Sequence, residues 1–513
     1  MNFSGGSYKK KVLMFITVIG LLRLVLAFII ELGNDESYYW LYSQHLKSNY
    51  FDHPPLIALW IRAATLNLSL QNYPGFIRLG CVISCSLATW FMYKCVAALT
   101  TERAGWYAAC LYNGFFYTGV TAGIFAFPDA PQMLFWTLSM YLIVRITQTE
   151  KSWKYWLLFG IASGLCIMSK IHGLFIWIGL GFYIIFYKRV ILRNVRLYVA
   201  LALSVAICLP ILFWNIHYNF LTFKFNGPRI SVDEHTIGLK YFLNELNNQT
   251  FKNNPLNVLF IALGLVALKK HRIQSLPALT IFNFAGILHI AILLFISLFK
   301  LTLAHWSGPA YVALLPMGAI YLDEKIKKKP QLLAGLSAAM HVCVLLFCVW
   351  FINYFPGTYG VHSGRYIGLS DFSLDLYAWK SSGEKFDSVY SSYQQKNIIP
   401  ANTPVICNGW WGAHIEYYFC RPQHINMIGL SNIMDIHEYA WINNIRKDSV
   451  NMQRAFCVVP SIGYYNFRKT YRPYYSHADS ITTIHVYRGN KPAQNFYVYL
   501  LSGWKGGNMP LEQ

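Results

Sequence analysis

The stretch NDESYYWLYSQHLKSNYFDHPP, residues 34–55, indicates how this chain folds and where its chemistry lies. It directly follows an apolar run over residues 12–30, which is long enough to cross a bilayer of about 30 Å at about 1.5 Å per residue. Lysines at positions 9–11 predict that this run begins in the cytoplasm. The acids Asp35 and Glu36 are therefore expected at the far interface of the membrane.

The composition also indicates a membrane protein with many spans. Hydrophobic residues make up 55% of the 513 residues, and charged residues make up 13%, about half the charged share of soluble domains. The formal net charge of +21 comes mainly from short basic runs between apolar segments, which is a topology signal. This distribution argues against a nucleic-acid partner and for the lipid bilayer.

Hydropathy predicts about eleven spans. After residues 12–30, they fall at residues 75–97, 105–122, 130–146, 153–168, 171–187, 197–214, 255–268, 278–299, 306–322 and 331–352. Several are short, so an adjacent pair could merge or one could be re-entrant. No small-residue cleavage site follows the first span, which favours an uncleaved anchor over a signal peptide.

Basic residues identify the loops on the cytoplasmic side. The loops carry Lys94 and Arg103; Arg145, Lys151 and Lys154; Lys188, Arg189, Arg193 and Arg196; Lys269, Lys270 and Arg272; and Lys325, Lys327, Lys328 and Lys329. An odd number of spans puts the C-terminus on the other side, in the periplasm if the membrane is a bacterial inner membrane. The loops that carry Asp35, Asp129, Lys170, Arg229 and His305 are expected there too.

A second domain begins where the long apolar runs stop. We expect a transmembrane catalytic domain over residues 1–352 and a mixed α/β extracytoplasmic domain over residues 353–513. β-rich stretches such as AFCVVP and ITTIHVYRG alternate there with polar turns. Cys407, Cys420 and Cys457 could form one disulfide in an oxidising compartment, but the sequence does not choose the pair.

Asp35 and Glu36 are adjacent, so on a helix they cannot share a face. One acid could contact a substrate while the other anchors the loop, or both could be solvated or cap a helix. Asp52 and His53 form a second polar pair, directly before two prolines that fix the backbone. The aromatic-rich segment between the two pairs, residues 37–50, is then predicted to be an interfacial helix.

These features together resemble a known family. An Asp-Glu pair after the first span, an aromatic interfacial helix, a charged residue before Pro-Pro and a later Pro-Asp-Ala-Pro at 128–131 are similar to the polyprenyl-phosphate-sugar-dependent glycosyltransferases of the GT-C superfamily. Within it, the chain resembles the branch of the protein O-mannosyltransferases and the lipid A aminoarabinose transferase. The resemblance covers roughly residues 10–320, and DFSLDLYAW at residues 371–379 is similar to a stretch of bacterial members.

The resemblance implies an inverting transfer of one sugar from a lipid phosphate to an acceptor outside the cytoplasm. Asp35 matches the acid that activates the acceptor, and a carboxylate can take the proton of a hydroxyl as the glycosidic bond forms. Glu36 is expected to orient the loop. A second acid is not needed, because phosphate departs without being protonated, unlike the leaving group in glycoside hydrolysis.

Asp129 matches the second acidic loop of the family. Pro128 and Pro131 are expected to stop the flanking helices and leave Asp129 at a helix start, where Asp is a good cap. Capping alone and capping together with an active-site role both fit this position.

A lipid phosphate needs a cationic cradle. The candidates are His53, Lys170, Arg229 and His305, beside Asp52. Lys170 could contact the phosphate or snorkel to the interface. Arg229 resembles an arginine that bacterial members place near the carrier phosphate, and its planar fork can bind two phosphate oxygens. His53 departs from the lipid A branch, which has lysine before the paired prolines.

The histidines and acids show no metal-ligand spacing, so a metal-free mechanism is expected, although ligands could converge from separate loops. The resemblance implies a sugar on undecaprenyl phosphate in a bacterium, or on dolichyl phosphate in a eukaryote. The acceptor is lipid A, another envelope glycan or a protein. Two alternatives come from other classes: a secondary transporter, which would have repeated halves around a midplane site, and a non-catalytic envelope assembly subunit.

Overall fold

A computed structural model describes residues 5–231, 237–251, 253–268 and 275–506 of the chain. By its internal contacts the chain divides into two compact units. The helical unit comprises Met1–Ala27 and Leu46–Leu345, and the sheet unit comprises Phe28–His45 and Leu346–Gln513. The domain limits expected from the sequence, 1–352 and 353–513, stay a prediction. The expected inside loop at Lys269, Lys270 and Arg272 lies outside the described residues.

Helices occupy all the predicted spans in the described part of the chain. They run over Gly5–Ile29, Pro74–Leu99, Glu102–Gly114, Asp129–Gln148, Trp153–Ser169, Leu174–Tyr187, Val195–His217, Pro255–Ala267, Pro277–Ser297, Gly308–Glu324 and Pro330–Tyr354. Among the described residues of the helical unit, three shorter helices were not predicted, at Leu56–Ala64, Leu221–Asn226 and Leu239–Thr250. A π-helical turn at Tyr117–Thr121 follows the helix that ends at Gly114.

Five of the described helices are long and apolar enough to cross a membrane. They are Tyr8–Ile29, Pro74–Leu99, Val195–His217, Pro277–Ser297 and Pro330–Tyr354. The chain is therefore an integral membrane protein with several helical spans. The count of about eleven stays a prediction, because the other candidate segments are shorter or less apolar.

Charged side chains inside the apolar helices find backbone and amide partners. Arg23 is 2% exposed and donates to the Asn113 side chain at 2.8 Å and to the Gly119 carbonyl at 3.3 Å. Arg78 donates to the Ala27 carbonyl at 3.0 Å. Because an unpaired charge in hydrocarbon is costly, these bonds tie the first helix to its neighbours.

The sheet unit contains a five-stranded mixed sheet in the order β2-β1-β3-β5-β4 in the part of the chain that the structure describes. The strands are β1 Val405–Cys407, β2 Met427–Gly429, β3 Arg454–Pro460, β4 Tyr475–Arg488 and β5 Lys491–Trp504. β1 pairs in parallel with β2 and β3, whereas β5 is antiparallel to β3 and β4. The two-residue turn Gly489–Asn490 has positive φ at both positions, as a tight hairpin with the native twist requires.

Helices cover this sheet and complete the mixed α/β domain that the sequence predicts. The helices of the unit run over Asn34–Gln44, Trp379–Gln395, Gly412–Ile415, Ile433–Ile436, Tyr439–Arg446 and Phe467–Tyr471. One face of the sheet buries Ile406, Ile428, Cys457, Val459 and Leu501 in a common apolar cluster. Cys407, Cys420 and Cys457 are buried free thiols, so the structure contains no disulfide among these three.

A buried ion pair connects the end of β4 to the segment that begins at Asp371. The guanidinium of Arg488, at the end of β4, donates to Asp371 at 3.0 Å, and both side chains are fully buried. It also donates to the Ser373 hydroxyl at 2.8 Å and to the Gly357 and Ile352 carbonyls at 3.0 and 3.1 Å. The pair therefore fixes the start of the DFSLDLYAW stretch against the hairpin.

We expect Arg488→Leu to destabilise the protein by about 3–5 kcal/mol, because it leaves the Asp371 carboxylate buried and uncompensated. Thermal and chemical unfolding of the purified protein would measure the loss. Arg472→Leu removes an exposed arginine of the same unit and serves as the control. Equal stability of the two variants would show that the ion pair contributes nothing.

Candidate active site

The first acidic pair lies at the start of a helix in the sheet unit. Glu36 is 1% exposed, and its carboxylate accepts from the Gly33 amide at 3.1 Å, whereas Asp35 is exposed. Glu36 thus satisfies one of the amides that a helix start leaves without a partner. The two neighbours therefore lie in different surroundings. The Glu36 side chain is buried against the preceding turn, whereas the Asp35 side chain faces water.

This helix differs from the predicted interfacial helix over residues 37–50. It runs over Asn34–Gln44, so it begins earlier because Glu36 holds the preceding turn, and it ends earlier. Most of its residues are buried within the sheet unit. Trp40, for example, meets the Tyr417 ring edge-on at 5.0 Å between ring centres. The aromatic residues therefore contribute to a packed core of this unit.

Asp129 and Lys170 form a buried ion pair in the helical unit. The Lys170 ammonium is 2.9 and 3.0 Å from the two carboxylate oxygens of Asp129, and the Tyr117 hydroxyl donates to Oδ1 at 2.9 Å. The Asp129 and Lys170 side chains are 4% and 7% exposed. Asp129 is the first residue of its helix, as expected. Its carboxylate pairs with Lys170, which points into the protein and does not snorkel to the interface. The roles proposed for the two residues in the active site stay predictions.

Asp129 and Lys170 each lie at a helix boundary, and these two boundaries bring the pair together. Asp129 follows Pro128, which starts the helix Asp129–Gln148. Lys170 lies between the helices Trp153–Ser169 and Leu174–Tyr187, in extended backbone with φ −160° and ψ 137°. At that break a lysine can turn into the protein rather than toward lipid.

The remaining predicted residues of the helical unit are linked to this ion pair by electrostatic interactions, directly or through His53. His53 lies within electrostatic range of Asp52, Lys170, Asp129 and Arg229. His305 lies within range of Lys170, Asp129 and His53. The structure thus brings Asp52, His53, Asp129, Lys170, Arg229 and His305 into one polar cluster, which we call the ion-pair cluster. Asp35 and Glu36 belong to the other unit.

Packing of two short segments explains why Arg229 joins the cluster. The Phe51 and Phe225 rings lie 4.6 Å apart, and the Asn226 amide donates to the Asp52 carbonyl at 3.4 Å. Arg229 is exposed in the turn Gly227–Arg229, with its guanidinium 4.4 Å from the centre of the Phe225 ring. A cation on this turn can meet an anion from solvent or from the membrane surface.

Two histidines that were not predicted as site residues lie beside this cluster. The His172 and His289 rings stack at 5.3 Å, and His172 lies within electrostatic range of Lys170, Asp129 and His305. Among the described residues, neither ring nitrogen of His289 has a hydrogen-bond partner. The available signal was a histidine inside the otherwise apolar segment FNFAGILHIAILLF, because polar residues at such depth are costly.

The described residues contain no group of three or more His, Cys, Asp or Glu side chains that could hold a metal ion. The expected metal-free mechanism stays a prediction.

Comparisons with known proteins find similar sequences and a similar fold. Residues 52–214 match the profile of a family described as dolichyl-phosphate-mannose-protein mannosyltransferase. The lipid A galacturonosyltransferase RgtD of Rhizobium johnstonii is 31% identical over 194 residues, which cover 37% of this chain and 40% of that protein. The chain therefore matches less than half the length of this curated relative.

Solved structures show the same fold over nearly the whole chain. ArnT from Cupriavidus metallidurans in the apo state superposes with a TM-score of 0.61 at 12% identity, covering 96% of this chain and 98% of ArnT. ArnT bound to undecaprenyl phosphate gives a TM-score of 0.62 at 12% identity, with 97% and 98% coverage. Together, the sequence matches and the shared fold confirm the predicted resemblance to the GT-C glycosyltransferases, and the fold is that of ArnT.

Proposed function

We propose that this protein transfers a single sugar from a polyprenyl-phosphate carrier to an envelope acceptor on the outer face of the membrane, with inversion at the sugar carbon. The observation that carries this proposal is the ion-pair cluster. Its members Asp52, His53, Asp129 and Lys170 all fall within the matched residues 52–214. A site that combines a buried cation with carboxylate and imidazole groups suits a sugar and a phosphate at once.

Asp35 acts as the general base in this proposal. Its carboxylate is exposed on the first turn of the helix Asn34–Gln44, so an acceptor hydroxyl can reach it. As the bond between sugar carbon and acceptor oxygen forms, the hydroxyl proton moves to Asp35. The bond between that carbon and the phosphate oxygen breaks at the same time, and the carrier leaves as its phosphate anion. Glu36 keeps the loop in place through the Gly33 amide.

Cations of the helical unit stabilise that leaving phosphate. Arg229, exposed on its turn, binds phosphate oxygens through its planar guanidinium. Lys170 contributes positive potential from within the protein, and Asp129 holds it in a single position. Since the charge on the phosphate grows as the sugar departs, fixed cations stabilise the transition state more than the ground state.

The relatives support a bacterial carrier and a lipid acceptor. One solved ArnT is bound to undecaprenyl phosphate, and RgtD is named for transfer to lipid A. We therefore propose undecaprenyl phosphate as the carrier and lipid A or a related envelope glycolipid as the acceptor. The protein then resides in the inner membrane with a cytoplasmic N-terminus and a periplasmic sheet unit. Incubation of the purified protein with undecaprenyl-phosphate sugars and envelope lipids, followed by mass spectrometry, tests this: absence of any sugar transfer would contradict it.

We expect Asp35→Asn to lower turnover by at least about 10²-fold, because it keeps the size of the side chain but removes the proton acceptor. Donor affinity should stay near wild type. Glu36→Gln should be milder, since an amide oxygen still accepts from Gly33. Asp479→Asn neutralises an exposed acid in β4 and is the control. Near-wild-type turnover of Asp35→Asn in the transfer assay would remove it as the base.

Arg229→Ala should weaken carrier binding roughly tenfold or more, because a charge-assisted contact to phosphate is lost. Arg229→Lys should recover only part of this affinity, since an ammonium cannot bind two oxygens as a planar fork does. Binding of labelled undecaprenyl phosphate to the purified variants measures the effect. Lys240→Ala removes another exposed cation of the helical unit and should bind like wild type. Equal affinity of all four proteins would exclude Arg229 from the site.

A double-mutant cycle tests the ion pair itself. Asp129→Asn and Lys170→Met should each destabilise the protein by about 3–5 kcal/mol, since each leaves one buried charge alone. The double variant should lose less than the sum, with a coupling of about 0.5–3 kcal/mol in thermal unfolding. The half-exposed pair Glu150–Lys188 gives the control cycle, for which about 0–1 kcal/mol is expected. Strict additivity at Asp129 and Lys170 would show that the two charges do not stabilise each other.

A further inference from the structure

Two helices of the sheet unit cap each other through carboxylates. Asp375 accepts from the Asn34 amide, with its two oxygens at 3.1 and 3.2 Å, at the start of the helix Asn34–Gln44. Glu31, which precedes that helix, accepts from the Trp379 amide at 2.7 Å and the Lys380 amide at 3.4 Å. Those amides begin the helix Trp379–Gln395. Each helix start, which otherwise lacks partners for its amides, is thus satisfied by the segment before the other helix.

The contact with Asp375 fixes the backbone directly beside Asp35. Gly33 must remain a glycine for this contact, because a Cβ atom there would come within 2.9 Å of the Asp375 carboxylate. The Leu32 amide donates to the Tyr418 hydroxyl at 2.6 Å, which holds the same turn from another side. The position of Asp35 therefore depends on residues more than 300 positions away in the chain.

The contact between His414 and Asp375 favours the protonated form of Asp375. Its Nε2 lies 2.8 Å from the Leu32 carbonyl oxygen, so this nitrogen carries a proton and donates it. The ring is fully buried and stacks on Trp379 at 3.6 Å, and burial lowers the pKa of His414 to about 3. His414 is therefore neutral, and its Nδ1 carries a lone pair. That lone pair lies 3.6 Å from Oδ1 of Asp375.

Among the described groups that interact with Asp375, the Asn34 amide favours its ionised form, whereas Asp35 and Glu36 disfavour it. The titratable groups that face it are Asp35 and Glu36 on the helix Asn34–Gln44 and neutral His414 on the helix Gly412–Ile415. Burial, and then the charge of Asp35, raises the pKa of Asp375 to about 8. The Asp375 side chain is 33% exposed, so water can deliver and remove its proton.

We propose that Asp375 is the positioning residue of the Asp35 loop and that it works in its protonated form, accepting from the Asn34 amide while its O–H faces the His414 lone pair. This rests on the proposed role of Asp35 as the base. It also gives a physical reason for the DFSLDLYAW stretch: Asp371 anchors the stretch to Arg488, Asp375 holds the base loop, and Trp379 supports His414.

A protonated Asp375 makes the position of the loop sensitive to alkaline pH. Below about pH 8 Asp375 keeps its proton and the contacts described above hold. As the pH rises through that value, a second negative charge appears beside Asp35, and the carboxylate then repels the lone pair of His414. We expect the loop to loosen and turnover to fall on the alkaline side, whereas an Asp375→Asn variant, neutral at every pH, should lack this decline.

Hydrogen exchange of the full-length protein tests the contact without any assay of activity. In a peptide covering residues 31–38, Asp375→Ala should speed exchange by roughly tenfold or more, because the Asn34 amide loses its acceptor. In the wild type, protection corrected for the intrinsic rate should fall between pH 7 and pH 9, and in Asp375→Asn it should not. Gly33→Ala, which displaces the carboxyl group without removing it, gives the same test if Asp375→Ala does not fold. Asp448→Asn, an exposed acid, is the control.

Turnover measurements then link the contact to catalysis. Asp375→Ala should lower kcat roughly tenfold or more while leaving the KM for the donor unchanged, because the base is misplaced but the carrier site is intact. Wild-type kcat should fall roughly tenfold between pH 7 and pH 9, with a flatter profile for Asp375→Asn. Unchanged protection in Asp375→Ala and Gly33→Ala, or the same alkaline decline in Asp375→Asn, would overturn the proposal. Wild-type protein that shows the exchange pattern but transfers no sugar would refute the proposed function alone.

Discussion

The first turn of the helix Asn34–Gln44 has backbone amides that need hydrogen-bond acceptors, and residues of the sheet unit supply them. Glu36 supplies one acceptor from within the helix, and Asp375 supplies another from far along the chain. The Leu32 carbonyl accepts in turn from buried His414. By its contacts the segment Phe28–His45 therefore belongs to the sheet unit rather than to the helical unit that surrounds it in sequence. The proposed base, Asp35, is therefore held in place by contacts from the whole sheet unit.

The helical unit contains a cation in an apolar environment. Lys170 can be buried there because Asp129 forms an ion pair with it and the Tyr117 hydroxyl donates a hydrogen bond to the same carboxylate. A buried pair of this kind adds little net stability compared with apolar residues, since desolvation offsets much of the attraction. We propose that the pair is retained for chemistry, because it fixes the Lys170 ammonium within electrostatic range of His53 and His305, where the carrier phosphate is proposed to bind.

Features that depend on local pattern could be predicted from the sequence. Apolar runs marked the helices, as at Pro74–Leu99 against the predicted 75–97, and the β-rich stretches marked β3 and β4. Features that depend on distant partners could not. The ion-pair partner of Asp129 is Lys170, which lies 41 residues away, and the Asn34 amide is held by Asp375, which lies 341 residues away. The polar cluster was found by its residue types, and its packing through Phe51 and Phe225 was not visible in any motif.

The proposed reaction is a single displacement assisted by one carboxylate, with no covalent bond between sugar and protein. NMR of the product formed from a donor of defined anomer tests this mechanism, because it gives the anomeric configuration of the transferred sugar. One displacement at the sugar carbon predicts a product of opposite configuration to the donor. A product that retains the donor configuration would require two successive displacements and a glycosyl-enzyme intermediate, and it would contradict a single displacement.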